Sequence, residues 1–196
     1  AYSGGDGALD PVTACQRLAA GAQRYHATVM EQCEVRSALP NDEGTVTIST
    51  SQGDLIADRY VVATGADPVA TKALAGVTIP QRSTPGVIVI TKPLRRLIHR
   101  VIAAPGIHLH QRDDGKLVIG EQEGAPNNAA HSLRLRERPT RFPDNATALA
   151  HAQRMLAIAT QFLPAAAAAE VDEVLIGWRP LPLDGHPVLG TPNASP

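Results

Sequence analysis

The segment Ile107-His108-Leu109-His110-Gln111-Arg112-Asp113-Asp114-Gly115-Lys116-Leu117-Val118-Ile119-Gly120 decides which kind of fold this chain adopts. Strand-forming residues dominate both of its ends, and Asp113-Asp114-Gly115 between them is a turn sequence. The segment therefore predicts a β-hairpin. Because the side chains of a strand alternate between its two faces, His108 and His110 lie on one face of this hairpin.

Further strands and a helix flank the hairpin. Val87–Ile90 and Val171–Trp178 are apolar runs that predict strands. Between them lies the longest helix, capped at Asp144-Asn145 and ended at Leu163-Pro164. One face of that helix carries six apolar residues, namely Ala148, Ala152, Met155, Leu156, Ala159 and Phe162.

The first part of the chain has a different pattern. Asp10-Pro11 predicts the start of a helix that runs to about Tyr25, because a capping side chain precedes a proline at the first helical position. The segments that follow predict a short strand at Cys33–Val35, a hairpin over Thr45–Ala57, a strand buried on both faces at Tyr60–Ala63, and a linker from Pro68 to Pro85. The predicted fold class is mixed α+β, with a sheet-rich region inserted between pieces of another domain.

Composition narrows the function classes. The chain has 196 residues, 43% of them hydrophobic, and a net charge of −1. This near-neutral balance argues against nucleic acid as a partner, and an aromatic content of 3% leaves few platforms on which bases could stack. A small molecule is the predicted partner; a second subunit or a peripheral membrane contact stays open.

The cysteines and the first residues predict a reducing compartment. Cys15 and Cys33 match no metal-binding or redox spacing, and two cysteines do not suggest a disulfide framework. The start of the chain, Ala1-Tyr2-Ser3-Gly4-Gly5, has no basic stretch followed by an apolar one, so no signal peptide is visible. We predict a cytoplasmic protein.

Arg179 is the leading candidate for substrate binding. It stands between Trp178 and Pro180, directly after the apolar strand Val174-Leu175-Ile176. A guanidinium offers two parallel donors and keeps its charge, so a rigidly held arginine suits a carboxylate. A structural ion pair is the alternative for Arg179, and Trp178 is most simply a packing residue.

The histidines are weaker candidates. His108 and His110 could contact substrate, could form a plain solvated strand face, or, with a third ligand that the spacing does not supply, could bind a metal; we predict no metal site. His186 lies beside Asp184 in a proline-flanked loop and could transfer a proton, or could simply be a turn residue. The end of the hairpin, Glu121-Gln122, could also face a pocket.

The segment Val61-Val62-Ala63-Thr64-Gly65 predicts a buried strand that ends in glycine. A glycine at the carboxyl end of such a strand lets the backbone approach a ligand closely. Many buried strands end in glycine, but the predicted hairpin directly before this strand makes the indication of a ligand site more specific.

In this order the elements resemble a known family. The Asp10-Pro11 helix, the Glu34-Val35 strand, Val61–Gly65, Gly177-Trp178-Arg179-Pro180 and Asp184–Gly190 follow one another as in the D-amino acid oxidase-type FAD-dependent oxidoreductases. That family includes glycine oxidase, sarcosine oxidase and the D-amino acid dehydrogenases. The resemblance runs from about Gly7 to Gly190.

The resemblance implies a cofactor, a reaction and residue roles. The cofactor would be FAD, and a D-amino acid or other amine would lose a hydride to it, giving an imine that hydrolyses to a keto acid. Val35 would contact the adenine with its backbone, and Ala63, Thr64 and Gly65 would lie near the dinucleotide. Arg179 would pair with the substrate carboxylate, and the strand with His108 and His110 would belong to the sheet that covers the flavin.

The resemblance also implies domains. Residues 1–76 would be part of an FAD-binding domain, 77–176 an antiparallel-sheet substrate domain, and 177–196 a segment returning to the first. The family opens with a strand and a Gly-x-Gly-x-x-Gly turn that this sequence lacks, so we expect a piece of a longer enzyme. A catalytically silent subunit and a small-molecule binding module are the alternatives. A hydrolase is the least favoured class, because no Gly-x-Ser-x-Gly is present.

Overall fold

The computed structural model describes residues 7–121, 142 and 144–191. Helices α1, α2 and α3 cover Pro11–Arg24, Pro68–Ala75 and Asn145–Phe162, and a 3-10 helix covers Pro164–Ala168. Eight strands, β1 to β8, cover Val35–Pro40, Val46–Thr50, Gly53–Ala57, Gln81–Pro93, Ile102–Ala104, Ile107–Gln111, Lys116–Glu121 and Val171–Pro182. This mixed α+β content confirms the predicted fold class.

The chain forms two compact units. The larger unit comprises Thr84–Arg179 and the described residues up to Ala14, and the smaller unit comprises Cys15–Ser83 and the described residues from Pro180. Residues 7–14 group with the larger unit, not with the residues that follow them. The assignment of the parts to flavin and substrate domains stays a prediction.

The larger unit is built on a five-stranded sheet in the order β5-β6-β7-β4-β8. Residues of β6 and β7 pair in antiparallel register, so that His108 lies opposite Gly120 and Leu109 opposite Ile119. Helix α3 packs on one face of this sheet, where its Ala152, Met155 and Ala159 join the sheet's buried apolar side chains. The opposite face carries His108 and His110 of β6.

Within the residues that the structure describes, the buried hydrophobic core lies in the larger unit. Its fully buried side chains include Ile107, Leu109, Ile119 and Met155. In the described part of the smaller unit the sheet order is β1-β2-β3, and the buried side chains are those of two threonines, Thr50 and Thr71. Because apolar burial supplies most of the free energy of folding, the larger unit is the stable part of this chain.

The predicted buried strand at Tyr60–Ala63 was wrong. These residues form no strand, and the side chain of Val61 is 89% exposed. A continuous apolar run is a buried strand only where neighbouring strands pair with it and other elements cover both its faces. The three-stranded sheet of the smaller unit offers this segment no such place.

The predicted linker from Pro68 to Pro85 was also wrong, because it contains helix α2. The carboxylate of Asp67 accepts hydrogen bonds from the backbone N–H groups of Val69 and Ala70, and Pro68 takes the first helical position. Gly76 ends the helix in the left-handed conformation with φ +69°. These turn-forming residues are therefore the start and stop signals of a helix.

Most other elements confirm the sequence predictions. Both hairpins form, α1 and α3 begin after their predicted caps, and the final strand extends beyond Trp178 to Pro182. The first strand begins at Val35 instead of ending there, and the short strand β5 was not predicted. No helix in the described ranges is long and apolar enough to cross a lipid bilayer.

Candidate functional site

The face of the five-stranded sheet opposite α3 brings two predicted site residues together. Strand alternation buries Ile107 and Leu109 against α3 and turns His108 to the opposite face. Arg179, near the end of β8, directs its side chain to the same face, where it lies against Gly86 of β4. We call this region the His108–Arg179 face.

The side chain of His108 lies flat over the neighbouring strand β7 and does not project away from the sheet. Its ring occupies the place where a side chain at Gly120 would begin, with Cδ2 3.0 Å from the position of a Cβ there. Burial, and then the positive charge of Arg179, lower the pKa of His108 below its ordinary value. The ring is therefore neutral near pH 7.

Arg179 is held by the backbone of β4. Its Nη2 donates to the carbonyl oxygen of Pro85 at 3.2 Å, and its Nε is 3.0 Å from where a Cβ of Gly86 would be. That Nε is buried and has no hydrogen-bond partner within the described ranges. No described carboxylate forms an ion pair with Arg179. This geometry disfavours the alternative of a structural ion pair.

Two glycines create the space for these side chains, and sequence reasoning missed both. Gly120 is paired with Ile88 of β4, and Gly86 lies two residues along the same strand. Gly86 directly precedes the apolar run Val87–Ile90 and Gly120 directly follows Leu117–Ile119. A glycine that adjoins a strand run without a turn is the signal that could have found them. A strand glycine often marks a close approach of another group, here the imidazole over Gly120 and the guanidinium over Gly86.

Replacing Gly120 by alanine tests this arrangement. The new methyl group takes the place of the His108 ring, which must swing away from Arg179 and into solvent. Both causes of its lowered pKa then weaken, so we expect the pKa of His108 to rise toward that of a free histidine, as measured by NMR titration of the ring protons. Gly177→Ala is the matched control, because nothing lies within 4 Å of a Cβ there. An unchanged His108 titration in Gly120→Ala would contradict the geometry.

His110 lies on the same face of β6 as His108 but has different neighbours. It lines a cavity of about 260 Å³ at the start of α1, together with Asp10 and the Arg112–Asp114 ion pair. Burial, followed by the charges of His108 and Arg112, lowers the pKa of His110. Within the described residues, no group of three or more His, Cys, Asp or Glu side chains could hold a metal ion.

Glu121 does not face the site, contrary to the possibility raised by the sequence. Its register partner is Ile107, so its side chain lies on the face covered by α3. There its carboxylate accepts a 2.8 Å hydrogen bond from Arg154 and lies 3.5 Å from the ring of His151. Burial raises the pKa of Glu121, but the two basic partners outweigh it and the pKa is lowered. Gln122 lies outside the described residues.

His186 lies in an exposed turn of the smaller unit. Asp184 accepts a hydrogen bond from the backbone N–H of His186 at 3.0 Å, and this bond closes the turn. The carboxylate is thus engaged by the backbone. The structure gives no support to a proton-transfer pair between the two side chains, and His186 belongs to a different unit from His108 and Arg179.

The residues expected to contact the dinucleotide are accessible. Val35 is 42% exposed at the start of β1, and Ala63 is exposed. Gly65 has φ +59° with open space where a Cβ would be, so its backbone can meet a flat ligand. The hydroxyl of Thr64 is engaged with that of Thr71 at 2.5 Å. These residues fit a contact with FAD along the backbone.

The start of helix α2 does not form a binding site for the phosphates of such a cofactor. The N–H groups at the start of this helix are bonded to the Asp67 carboxylate, whose charge would also repel a phosphate. The smaller unit therefore leaves the backbone at Ala63 and Gly65 accessible, but the start of α2 does not supply a pyrophosphate site.

Comparison with known proteins agrees with the sequence resemblance. The model of a family described as FAD dependent oxidoreductase (DAO) matches residues 1–195. The mitochondrial dimethylglycine dehydrogenase of Mus musculus is 41% identical over 64 residues, which cover 33% of this chain and 7% of that protein. The corresponding protein of Rattus norvegicus is 38% identical over 64 residues, 33% of this chain and 8% of that protein.

Solved structures share the fold at low sequence identity. L-proline dehydrogenase from P. horikoshii has a TM-score of 0.70 at 20% identity, covering 94% of this chain and 47% of that one. Glycine oxidase from Geobacillus kaustophilus has a TM-score of 0.64 at 21% identity, covering 89% and 43%. L-amino acid deaminase from Proteus vulgaris has a TM-score of 0.70 at 14% identity, covering 92% and 51%. The chain spans about half the length of these structures and a small part of the curated relatives.

Proposed function

The chain belongs to the DAO family of FAD dependent oxidoreductases, and from this premise we propose that it forms the carboxylate-binding part of an enzyme that oxidises an amino acid or a related amine. FAD is the cofactor of this family. The proposal is supported above all by the His108–Arg179 face, where a guanidinium without a described ion-pair partner lies next to a histidine on the side of the sheet opposite α3.

The chain's own residues would bind and orient the substrate. Arg179 would hold the carboxylate through guanidinium donors other than the buried Nε, while its bond to Pro85 keeps the group from turning. Gly86 and Gly120 let the guanidinium of Arg179 and the ring of His108 lie against the strand backbone, where they are held for substrate binding. Bound FAD would supply the acceptor for the hydride that leaves the amine-bearing carbon, and the resulting imine would hydrolyse to a keto acid.

The residues proposed for cofactor contact are Val35, Ala63, Thr64 and Gly65. They lie in the smaller unit, and their support is the open backbone at Ala63 and Gly65. The neighbouring α2 helix start is capped by Asp67, which favours a second candidate function. In that candidate the chain binds carboxylates but is catalytically silent by itself.

A flavin titration followed by substrate mixing tests the proposal. The full chain is titrated with FAD, and the yellow complex is mixed without oxygen with glycine, N-methylglycine, D-alanine and L-proline. We expect at least one of these carboxylates to bleach the flavin, and glycinamide, which lacks the carboxylate, to react at least a hundredfold more slowly. Equal bleaching by glycinamide would remove the carboxylate role. Failure to bind FAD together with saturable binding of formate would favour the silent candidate.

A further inference from the structure

We propose that His108 is a second carboxylate-binding group of this site and that it takes up one proton from solvent when the carboxylate binds. The inference deepens the proposed function and rests on it, because it takes Arg179 to be the first carboxylate-binding group. No bond of the substrate changes in this step; only the imidazole gains a proton.

The register of the sheet sets the distance between the two groups. Gly120, under the imidazole, pairs with Ile88, and Gly86, under the guanidinium, lies two residues further along β4. Such diagonal positions are about 7–8 Å apart. Two charge-assisted hydrogen bonds of about 2.8 Å each, with a carboxylate between them, span roughly that distance. One carboxylate can therefore bridge Arg179 and His108.

Without a bound carboxylate, the side chains that face His108 carry a net positive charge. Within the described ranges, Arg179 from β8 and His110 from its own strand are the titratable or charged groups facing it. Lys116, on the same face of β7, is paired with Asp172 at 2.6 Å. The neighbouring positions of β4 and β7 are uncharged, namely Gly86, Ile88, Val118 and Gly120. A positive charge thus faces the imidazole, and no described carboxylate offsets it.

A bound carboxylate reverses this electrostatic situation. Burial and the charge of Arg179 lower the pKa of free His108. A carboxylate between the two groups offsets that charge and accepts a hydrogen bond from the protonated ring, so it raises the pKa. The bound state then holds the proton at a higher pH than the free state. Binding strengthens as the pH falls through the bound-state pKa and levels off below the free-state pKa.

The experiment uses formate and the full chain. Binding is followed by NMR between about pH 8 and about pH 5, where histidine titrates and formate stays ionised. The ring resonance of His108 is assigned by its loss in His108→Gln. For each unit by which formate raises the pKa of His108 we expect about tenfold tighter binding at the acid end. In His108→Gln, which keeps a hydrogen-bonding side chain without a titrating proton, formate should bind with no such pH dependence, whereas the exposed-histidine control His99→Gln should behave as the unchanged protein.

The outcomes distinguish failure of the proton coupling at His108 from failure of the carboxylate site at Arg179. If formate binds in an Arg179-dependent manner but the His108 pKa does not move, the proton coupling is overturned and the carboxylate site stands. If Arg179→Leu binds formate as tightly as the unchanged chain, the carboxylate site fails and the inference with it. The pKa of His108 itself is read on the unchanged protein, and His108→Gln serves for its assignment.

Discussion

Replacing Arg179 by leucine is expected to weaken carboxylate binding at least a hundredfold. The guanidinium supplies the permanent positive charge of the His108–Arg179 face, and loss of a buried charge-assisted hydrogen bond to an anion costs about 2–5 kcal/mol. In the FAD-loaded protein the same change should raise KM for carboxylate substrates strongly. The measurement is the dissociation constant of formate by NMR, with turnover of an amino acid substrate as the second readout.

Arg179→Lys is the matched variant for this prediction. Lysine keeps the charge but loses the planar fork, so we expect an intermediate loss of about tenfold. Both variants lose the bond to the Pro85 carbonyl, which lets their unfolding midpoints report any purely structural role. Leucine and lysine variants that bind formate as the unchanged chain does, but unfold more easily, would show that Arg179 only braces the backbone.

Replacing Gln111 by leucine is expected to destabilise the larger unit by about 3 kcal/mol. This side chain is 9% exposed and ties the loop after β4 to the β6–β7 hairpin. Its Oε1 accepts from the N–H of Leu97 at 2.7 Å, and its Nε2 donates to the carbonyls of Arg95 at 3.0 Å and Gly115 at 2.8 Å. Leucine fills similar space but leaves these backbone groups without partners, at about 1–3 kcal/mol for each one that water cannot reach.

Urea unfolding measures this loss. Gln153→Leu, at an exposed position of α3, is the control and should stay within about 0.5 kcal/mol of the unchanged protein. Gln111→Glu keeps the acceptor but places a buried carboxylate against the carbonyls of Arg95 and Gly115, so we expect it to lose at least as much as Gln111→Leu at neutral pH. A loss below about 1 kcal/mol for Gln111→Leu would mean that water replaces the amide.

The predictable parts of the fold are those coded by neighbouring residues. The β6–β7 hairpin follows from the turn at Asp113-Asp114-Gly115, and α3 from the Asp144 cap and its apolar face. Helix α2 carried equally local signals, Asp67-Pro68 and Gly76, but they were interpreted as loop residues. This error was one of interpretation and not of missing information.

The strand expected at Tyr60–Ala63 failed for a different reason. Its residues favour a strand, yet burial depends on partners that come from elsewhere in the chain. The same limit applies to Glu121: its place at the end of a hairpin was visible, but the face it occupies depends on the register with Ile107 and on helix α3.

The sequence by itself determined the class of fold, the family resemblance and the individual candidates Arg179 and His108, because side-chain chemistry, turn residues and strand periodicity are local properties. Only the tertiary structure decided which candidates meet. His108 and Arg179 come from strands that are far apart in the chain and share one sheet face, through the register that places Gly120 and Gly86 beneath them. His186 and Glu121 had equally suitable chemistry and lie elsewhere. Pairing between distant strands is set by the packing of the whole sheet against α3, and no short segment contains that information.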